Sequence, residues 1–118
     1  MLFDNGKESL VQSPVGATRY YSAPRKYQIN LTNMIATETW HYEHSPAIWS
    51  PICPSIYQDG TSYLIDYASE NQWGSGPLYV RIVGIDSAKN IAFEYRYPGN
   101  WGTSWNTSPI HVENLIFN

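Results

Sequence analysis

Apolar and polar residues alternate along most of the chain beyond residue 25. In residues 26–33, for example, Tyr27, Ile29 and Leu31 share one side of an extended chain, and polar residues occupy the other. This two-residue period is typical of half-buried β-strands, and no segment keeps a helical period of about 3.6 residues over several turns. Similar segments predict strands at residues 35–43, 55–58, 61–68, 78–85, 91–97 and 110–117.

Turn-forming residues separate these segments at intervals of about 8–12 residues. Asp59-Gly60 is the clearest tight turn, because both residue types tolerate a positive φ. This rhythm predicts an all-β fold, an antiparallel β-sandwich of roughly seven to eight strands. We expect a single sandwich domain over residues 1–118, in which residues 1–25 form an irregular N-terminal arm or an edge strand around residues 17–21.

Composition and charge narrow the range of partners. Charged residues make up 14% of the chain, against about 25% in an average soluble domain, while aromatic residues reach 15%. A net charge of −3 with scattered basic residues argues against nucleic acid as a partner. No apolar run approaches the ~18 residues of a membrane span, and the N-terminus turns polar too early for a signal peptide. The expected location is therefore cytosolic, or secreted without a retained signal.

The number of cysteines limits how the fold can be stabilised. Cys53 is the single cysteine, so no disulfide can form within the chain and the fold must depend on its core. A buried or half-buried thiol is the expected role of this residue.

Four of the five tryptophans lie in predicted loops among Gly, Ser, Asn and Gln. Loops collect at the two ends of a sandwich, where binding residues are often found. An indole offers a broad apolar face and an N–H donor, which suits a sugar ring or a lipid headgroup interface. The alternative is that these rings seal the ends of the sandwich, since Trp is highly buried on average. The predicted ligand-binding residues are Trp49, Trp73, Trp101, Trp105, Tyr97, Asn71, Gln72, Asn100 and Asn106.

Catalytic and metal-binding patterns are weak in this sequence. His41 and His44 would point to opposite faces of a strand, and no third ligand is evident, so no metal site is predicted. The carboxylates considered for a glycosidase pair are Asp66, Glu94 and Glu113. The alternation of Glu94 with Arg96 favours cross-strand ion pairing instead. Because phosphate loops, nucleophile elbows and zinc-type spacings are also missing, we predict no catalytic residue, no cofactor and no enzymatic activity.

Several short strand and turn motifs follow one another between residues 29 and 102. Ile29-Asn30-Leu31-Thr32-Asn33 is an alternating strand that ends in Asn, and Trp40 lies on the next strand. A proline-rich turn at residues 51–54 and the Asp59-Gly60 turn come next, and residues 93–102 run from an aromatic strand into a Pro-Gly-Asn-Trp-Gly loop. This order resembles the aegerolysin and actinoporin-like β-sandwich family, with fungal fruit-body lectins as the second comparison. The resemblance implies recognition of membrane lipids such as sphingolipids, and residues 1–25 depart from it.

Three functions follow as hypotheses. The first is a non-enzymatic protein that binds membrane lipid surfaces through its aromatic loops, with cytolysis as an outcome that the resemblance implies. The second is a carbohydrate-binding lectin that uses the same loops. The third is a structural or oligomer-forming protein whose aromatic surface is a subunit interface. The expected partner is thus a membrane lipid, a glycan or a second copy of the chain forming a homo-oligomer.

Overall fold

The computed structural model describes residues 1–8, 16–99, 104 and 106–109. All regular structure in these residues is β, and none of them forms a helix long and apolar enough to cross a membrane. The strands are β1 (Leu2–Asp4), β2 (Ala23–Asn30), β3 (Ile35–His41), β4 (Ser55–Asp59), β5 (Ser62–Glu70), β6 (Tyr79–Ile85) and β7 (Ile91–Pro98). They form two antiparallel sheets of three and four strands, which confirms the predicted all-β architecture.

Within each sheet, every strand pairs with its neighbour in the chain, in the orders β1-β2-β3 and β4-β5-β6-β7. Short connections produce this order. Gly60 has a φ of 56° in the turn from β4 to β5. In the connection from β6 to β7, the Asp86 carboxylate accepts hydrogen bonds from the backbone N–H groups of Ala88 and Asn90, both at 2.8 Å. Antiparallel hairpins therefore follow from local turn chemistry.

A β-bulge interrupts the pairing of β2 with β3. Lys26 lies opposite Trp40, but the next pair is Tyr27 with Glu38, which leaves one residue of β3 without a counterpart. A bulge changes the direction in which the neighbouring side chains point. Here the Trp40 ring reaches the second sheet and stacks on Tyr63, with 4.5 Å between the ring centroids.

The hydrophobic core lies between the two sheets. Its centre is on β5 and β6, where Ile65, Tyr67 and Val83 have no exposed surface. The other buried core residues are Tyr42, Ile48, Tyr63 and Ile85, and Phe3, Trp40 and Ile56 pack against them. Burial of apolar surface from both sheets in one layer is what holds them together.

Two expectations for the first sheet are wrong. Residues 17–21 do not form an edge strand, because the edge is taken by β1 and the Arg19 N–H donates instead to the Gly6 carbonyl at 2.7 Å. The apolar side of residues 26–33 is not buried, and Ile29 and Leu31 are 63% and 79% exposed. Burial in β2 is confined to its first residues, since the core lies at that end of the strand. The predicted strand at residues 110–117, which includes Glu113, lies outside the described residues.

Candidate functional site

Two lysine side chains converge on an aromatic pair formed by Trp40 and Tyr63. The Lys26 ammonium donates a hydrogen bond to the Tyr63 Oη at 2.5 Å and lies 4.6 Å from the centroid of that ring. Lys26 Nζ and Lys89 Nζ each lie 5.6 Å from the Trp40 ring centroid. We call these four residues the lysine–indole cluster. It places two positive charges beside a stacked indole and phenol ring.

Several features of the fold position this cluster. The bulge in the first sheet directs Trp40 toward the second sheet, and Lys26 lies directly opposite it in the β2–β3 pairing. Tyr63 lies on β5 and is only 9% exposed, so its ring is fixed by the core. Lys89 projects from the short β6–β7 connection, where it adopts a φ of 68°. Side chains that are distant in sequence thus meet at one end of the second sheet.

The two predicted loop tryptophans that the structure describes meet in another place. The rings of Trp49 and Trp73 lie 5.8 Å apart between centroids, and Tyr20 is also 5.8 Å from Trp49. The Lys7 Nζ lies 4.0 Å above the Trp73 ring, which is about half exposed. We call Trp49 and Trp73 the tryptophan pair. Both residues lie in loops, where the sequence places them.

A ladder of buried serines holds the loop that carries Trp49. The Ser22 Oγ accepts a hydrogen bond from the Ser50 N–H at 2.8 Å, and the Ser50 Oγ accepts one from the Ser69 N–H at 3.0 Å. The Ser69 Oγ in turn accepts one from the Ile52 N–H at 3.1 Å. Since Ser22 precedes β2 and Ser69 lies on β5, the loop is anchored to both sheets.

The polar residues predicted beside Trp73 have mainly structural contacts. Asn71 adopts a φ of 67°, its carbonyl accepts from the Gly74 N–H at 2.9 Å, and its Nδ2 donates to the Pro77 carbonyl at 3.4 Å. Asn71 therefore shapes the turn. The Gln72 Oε1 and the Trp49 Nε1 are buried without a hydrogen-bond partner in the described part of the chain.

The predicted site residues Tyr97 and Asn106 lie near Asp66, away from the tryptophan pair. Tyr97 lies on β7 with 44% of its surface exposed, and partial burial of the ring together with the nearby negative charge of Asp66 raises the pKa of its hydroxyl. Asn106 is exposed and lies between Ser104 and Thr107, whose hydroxyls donate to the Asp66 carboxylate at 2.6 and 2.9 Å. The predicted residues Asn100, Trp101 and Trp105 lie outside the described residues.

The Asp66 carboxylate gives a pH-dependent prediction. Burial raises its pKa despite the hydrogen bonds from Ser104 and Thr107, and its Oδ1 has no partner among the described atoms. The ionised form therefore costs stability above the raised pKa, and the cost disappears below the ordinary value of about 3.9, where both states are protonated. We expect Asp66→Asn to raise the free energy of unfolding at pH 7 by about 1 kcal/mol, with no gain near pH 3.

Urea unfolding of wild type and Asp66→Asn across this pH range is the measurement. Asp86→Asn is the control, and its free energy of unfolding should change in the opposite direction. Hydrogen bonds from Asn90 and from the Ala88 N–H lower the Asp86 pKa. Its ionised form is stabilised by folding, so this variant should lose stability at neutral pH. A gain for Asp66→Asn that is the same at all pH values would contradict the expected cause.

Charged residues on the core-facing side of the second sheet pair with one another. Arg81 donates to Glu70 at 2.9 Å and also to Glu94, and Arg96 donates to Glu70 at 3.0 Å. Burial opposes ionisation of Glu94, but hydrogen bonds from His44 and Arg81 outweigh it and lower the pKa of this carboxyl. These contacts agree with cross-strand ion pairing of Glu94 and give it a structural role.

The histidines also have local partners. The Nδ1 of buried His44 lies 2.9 Å from the Pro46 carbonyl, and its Nε2 lies 3.2 Å from Glu94. The half-buried His41 has its Nδ1 2.7 Å from a Glu38 oxygen. Within the described residues, no group of three His, Cys, Asp or Glu side chains is arranged to hold a metal ion.

Comparison with known proteins identifies the family of this β protein. A family model described as Arylsulfotransferase (ASST) matches residues 1–106, so the chain belongs to the arylsulfotransferase family. Searches of curated proteins and of solved structures gave no match.

The family corrects several expectations from the sequence. The resemblance to aegerolysins, actinoporin-like proteins and fruit-body lectins is wrong, because the motifs behind it are alternating strands and Pro/Gly turns that any antiparallel all-β chain requires. The lipid-binding, cytolytic, lectin and structural functions are not supported by this family. The prediction of no enzymatic activity is also wrong, since arylsulfotransferases are enzymes. Aromatic loops do not distinguish a lipid or sugar from an aryl ring, because all of these pack against an indole face.

None of the four residues in the lysine–indole cluster was predicted from the sequence. The sequence does contain one indication of the cluster. The predicted strands 26–33 and 35–43 form a hairpin, which brings Lys26 and Trp40 onto neighbouring strands. The contributions of Tyr63 and Lys89 depend on how the two sheets pack. The sequence pattern alone carries no information on that packing.

Proposed function

We propose that this protein takes part in transferring a sulfuryl group between aryl oxygens, and that the lysine–indole cluster binds the aryl sulfate. The observation that carries this proposal is the convergence of two ammonium groups on one stacked aromatic pair. An aryl sulfate joins a flat apolar ring to a single negative charge, and the cluster is complementary to both. The family of the chain supports the same chemistry.

The spacing within the cluster suits a bound ester. Cation–π attraction extends to about 6 Å, and both lysine nitrogens lie 5.6 Å from the Trp40 centroid, near that limit. We assign the sulfate oxygens to these ammonium groups and the aryl ring to the indole of Trp40. The hydrogen bond from Lys26 to Tyr63 holds one ammonium in place before the ligand arrives.

The two lysines also suit the chemistry of the transfer. The acceptor phenol loses its O–H proton, its oxygen forms a bond to sulfur, and the bond between sulfur and the donor oxygen breaks. The departing aryl oxide then takes up a proton, so that a phenol and a new aryl sulfate result. Ammonium groups placed beside the sulfate stabilise the negative charge that develops on the departing oxygen. Lys26 and Lys89 are therefore assigned sulfate binding and charge stabilisation.

Transfer from para-nitrophenyl sulfate to phenol tests the proposed function. We expect saturable binding of this ester and release of para-nitrophenol that depends on added phenol. Cyclohexyl sulfate is the matched control ligand, because it carries the same charge without an aromatic ring. It should bind about three- to tenfold more weakly, since it lacks a flat face to stack on Trp40. Equal binding of the two esters, with no phenol-dependent release, would contradict the proposal.

A further inference from the structure

The outer part of the β2–β3 hairpin, residues 27–39, extends beyond the hydrophobic core. Every residue in this range is exposed, on both sides of the two strands. The third strand of the sheet does not reach it, since β1 pairs only with residues 23–25 of β2. A two-stranded hairpin is at best marginally stable by itself in water, so a partner that covers one side would stabilise it. We call residues 27–39 the exposed hairpin.

Local hydrogen bonds shape the tip of the exposed hairpin. The Asn30 Oδ1 accepts a hydrogen bond from the Thr32 N–H at 2.9 Å, and the Asn33 Oδ1 accepts one from the Ile35 N–H at 3.2 Å. Met34, between them, adopts a φ of 56°. The turn is therefore formed by its own residues before any partner binds. A surface that is already ordered loses little conformational freedom on association.

The exposed hairpin has one apolar face. Ile29 pairs with Ala36, and residues that pair across two strands lie on the same face. Tyr27 belongs to this face as well, because it lies two residues before Ile29 on the same strand. Gln28 and Thr37 pair on the opposite face, which is mainly polar. The apolar hairpin face consists of Tyr27, Ile29 and Ala36, with Leu31 and Met34 at the tip.

Charge and area favour a second copy of the chain as the partner of this face. Residues 27–37 contain no charged side chain, and the Oε2 of Glu38, at the base, lies 2.6 Å from the Nη1 of Arg25. Two identical faces therefore meet without repulsion between like charges. The five side chains of the apolar hairpin face expose up to roughly 600 Å² in each copy, so two copies reach the lower limit of about 1,200 Å² for a stable, specific interface.

We infer that the apolar hairpin face is the contact surface of a two-fold dimer, in which the exposed hairpins of two copies pack face to face. The inference goes beyond the proposed function and does not rest on it. Each copy uses the same patch once in such a dimer, so the assembly is closed and does not grow. Sheet faces that pack in this way lie about 10 Å apart, with their side chains interdigitated.

Sedimentation velocity over a range of protein concentrations tests the dimer. Wild type should sediment as a dimer that dissociates on dilution. Ile29→Glu places a charge on the apolar hairpin face of both copies, and we expect it to weaken the dimer at least about 100-fold. Gln28→Glu is the matched control, because it adds the same charge one residue away on the opposite face and should leave the dimer intact. Both positions are exposed, and circular dichroism checks the fold of each variant.

Ile29→Lys tests whether the two hairpins contact each other. Ile29→Glu and Ile29→Lys should each be monomeric where wild type is a dimer. An equimolar mixture of the two variants should form a heterodimer, because opposite charges then face each other across the interface. A hairpin that contacted some other part of the second copy would show no such recovery, and this result would overturn the inference.

The remaining outcomes are equally clear. Wild type that stays monomeric up to its highest soluble concentration would overturn the inference, and so would an Ile29→Glu dimer as tight as that of wild type. Assemblies that keep growing with concentration would contradict a closed two-fold contact. Binding of para-nitrophenyl sulfate decides the proposed function separately, since Lys26 and Lys89 are not part of the apolar hairpin face.

Discussion

Replacing both Lys26 and Lys89 with glutamine should weaken the binding of para-nitrophenyl sulfate about 100-fold. Each ammonium is expected to form a charge-assisted hydrogen bond with the sulfate, and such a bond contributes about 1.5 kcal/mol. That energy corresponds to roughly tenfold in affinity for each lysine. Glutamine keeps most of the length of the side chain and a donor group, so the loss reports on charge. Isothermal titration of the single and double variants measures it.

Lys7→Gln is the matched control for this experiment. It also removes an ammonium that lies above an indole, with 4.0 Å between Lys7 Nζ and the Trp73 centroid, but at the tryptophan pair. We expect no change in affinity for the sulfate ester. A loss in Lys7→Gln together with normal binding in the double variant would move the site from the cluster to the tryptophan pair.

Gly6→Ala should lower the free energy of unfolding by about 3 kcal/mol or more. Gly6 has a φ of 79°, and a Cβ at this position would lie 2.4 Å from the Tyr21 carbonyl oxygen and 2.7 Å from that of Arg19. Both are backbone atoms, which cannot rotate away as a side chain can. The left-handed conformation alone costs about 1–2 kcal/mol for a residue with a Cβ, and crowding typically adds about 1–3 kcal/mol. Urea unfolding followed by circular dichroism measures the total.

Gly60→Ala separates the two contributions. Gly60 has a φ of 56°, but a Cβ there would meet no atom within 4 Å. This variant should lose only the conformational part, about 1–2 kcal/mol. Equal losses in Gly6→Ala and Gly60→Ala would show that crowding by the backbone of residues 19 and 21 has no effect.

Much of the second sheet can be predicted from the sequence, since local information determines it. Alternation over residues 61–68, 78–85 and 91–97 corresponds closely to β5, β6 and β7, and Asp59-Gly60 lies at the turn before β5. Each of these features depends only on neighbouring residues, either through the two-residue period or through tolerance of a positive φ.

The first sheet shows where local patterns are insufficient. Ile29 and Leu31 alternate as half-buried strand residues do, but they are exposed, since the core is reached only by the first residues of β2. β1 spans three residues and is too short to leave a periodic signal. Whether an alternating strand is buried depends on what packs against it, and sequence alone does not state this.

The candidate site depends on long-range packing. Trp49 and Trp73 lie in loops, which turn and proline residues in the sequence indicate. Trp40 lies on a strand, and it becomes part of a binding surface because a bulge directs it toward Tyr63. The Lys89 ammonium approaches the Trp40 ring from the β6–β7 hairpin of the other sheet. No spacing rule links these residues, because their contact follows from the docking of two sheets.

The most direct test of the site is the indole N–H spectrum of the protein during a titration with para-nitrophenyl sulfate. The chain has five tryptophans, and a Trp40→Phe variant identifies the Trp40 resonance. We predict a saturable shift of that resonance, with those of Trp49 and Trp73 unchanged. A shift confined to Trp49 and Trp73, or no shift in any indole signal, would contradict the assignment of the aryl sulfate to the lysine–indole cluster.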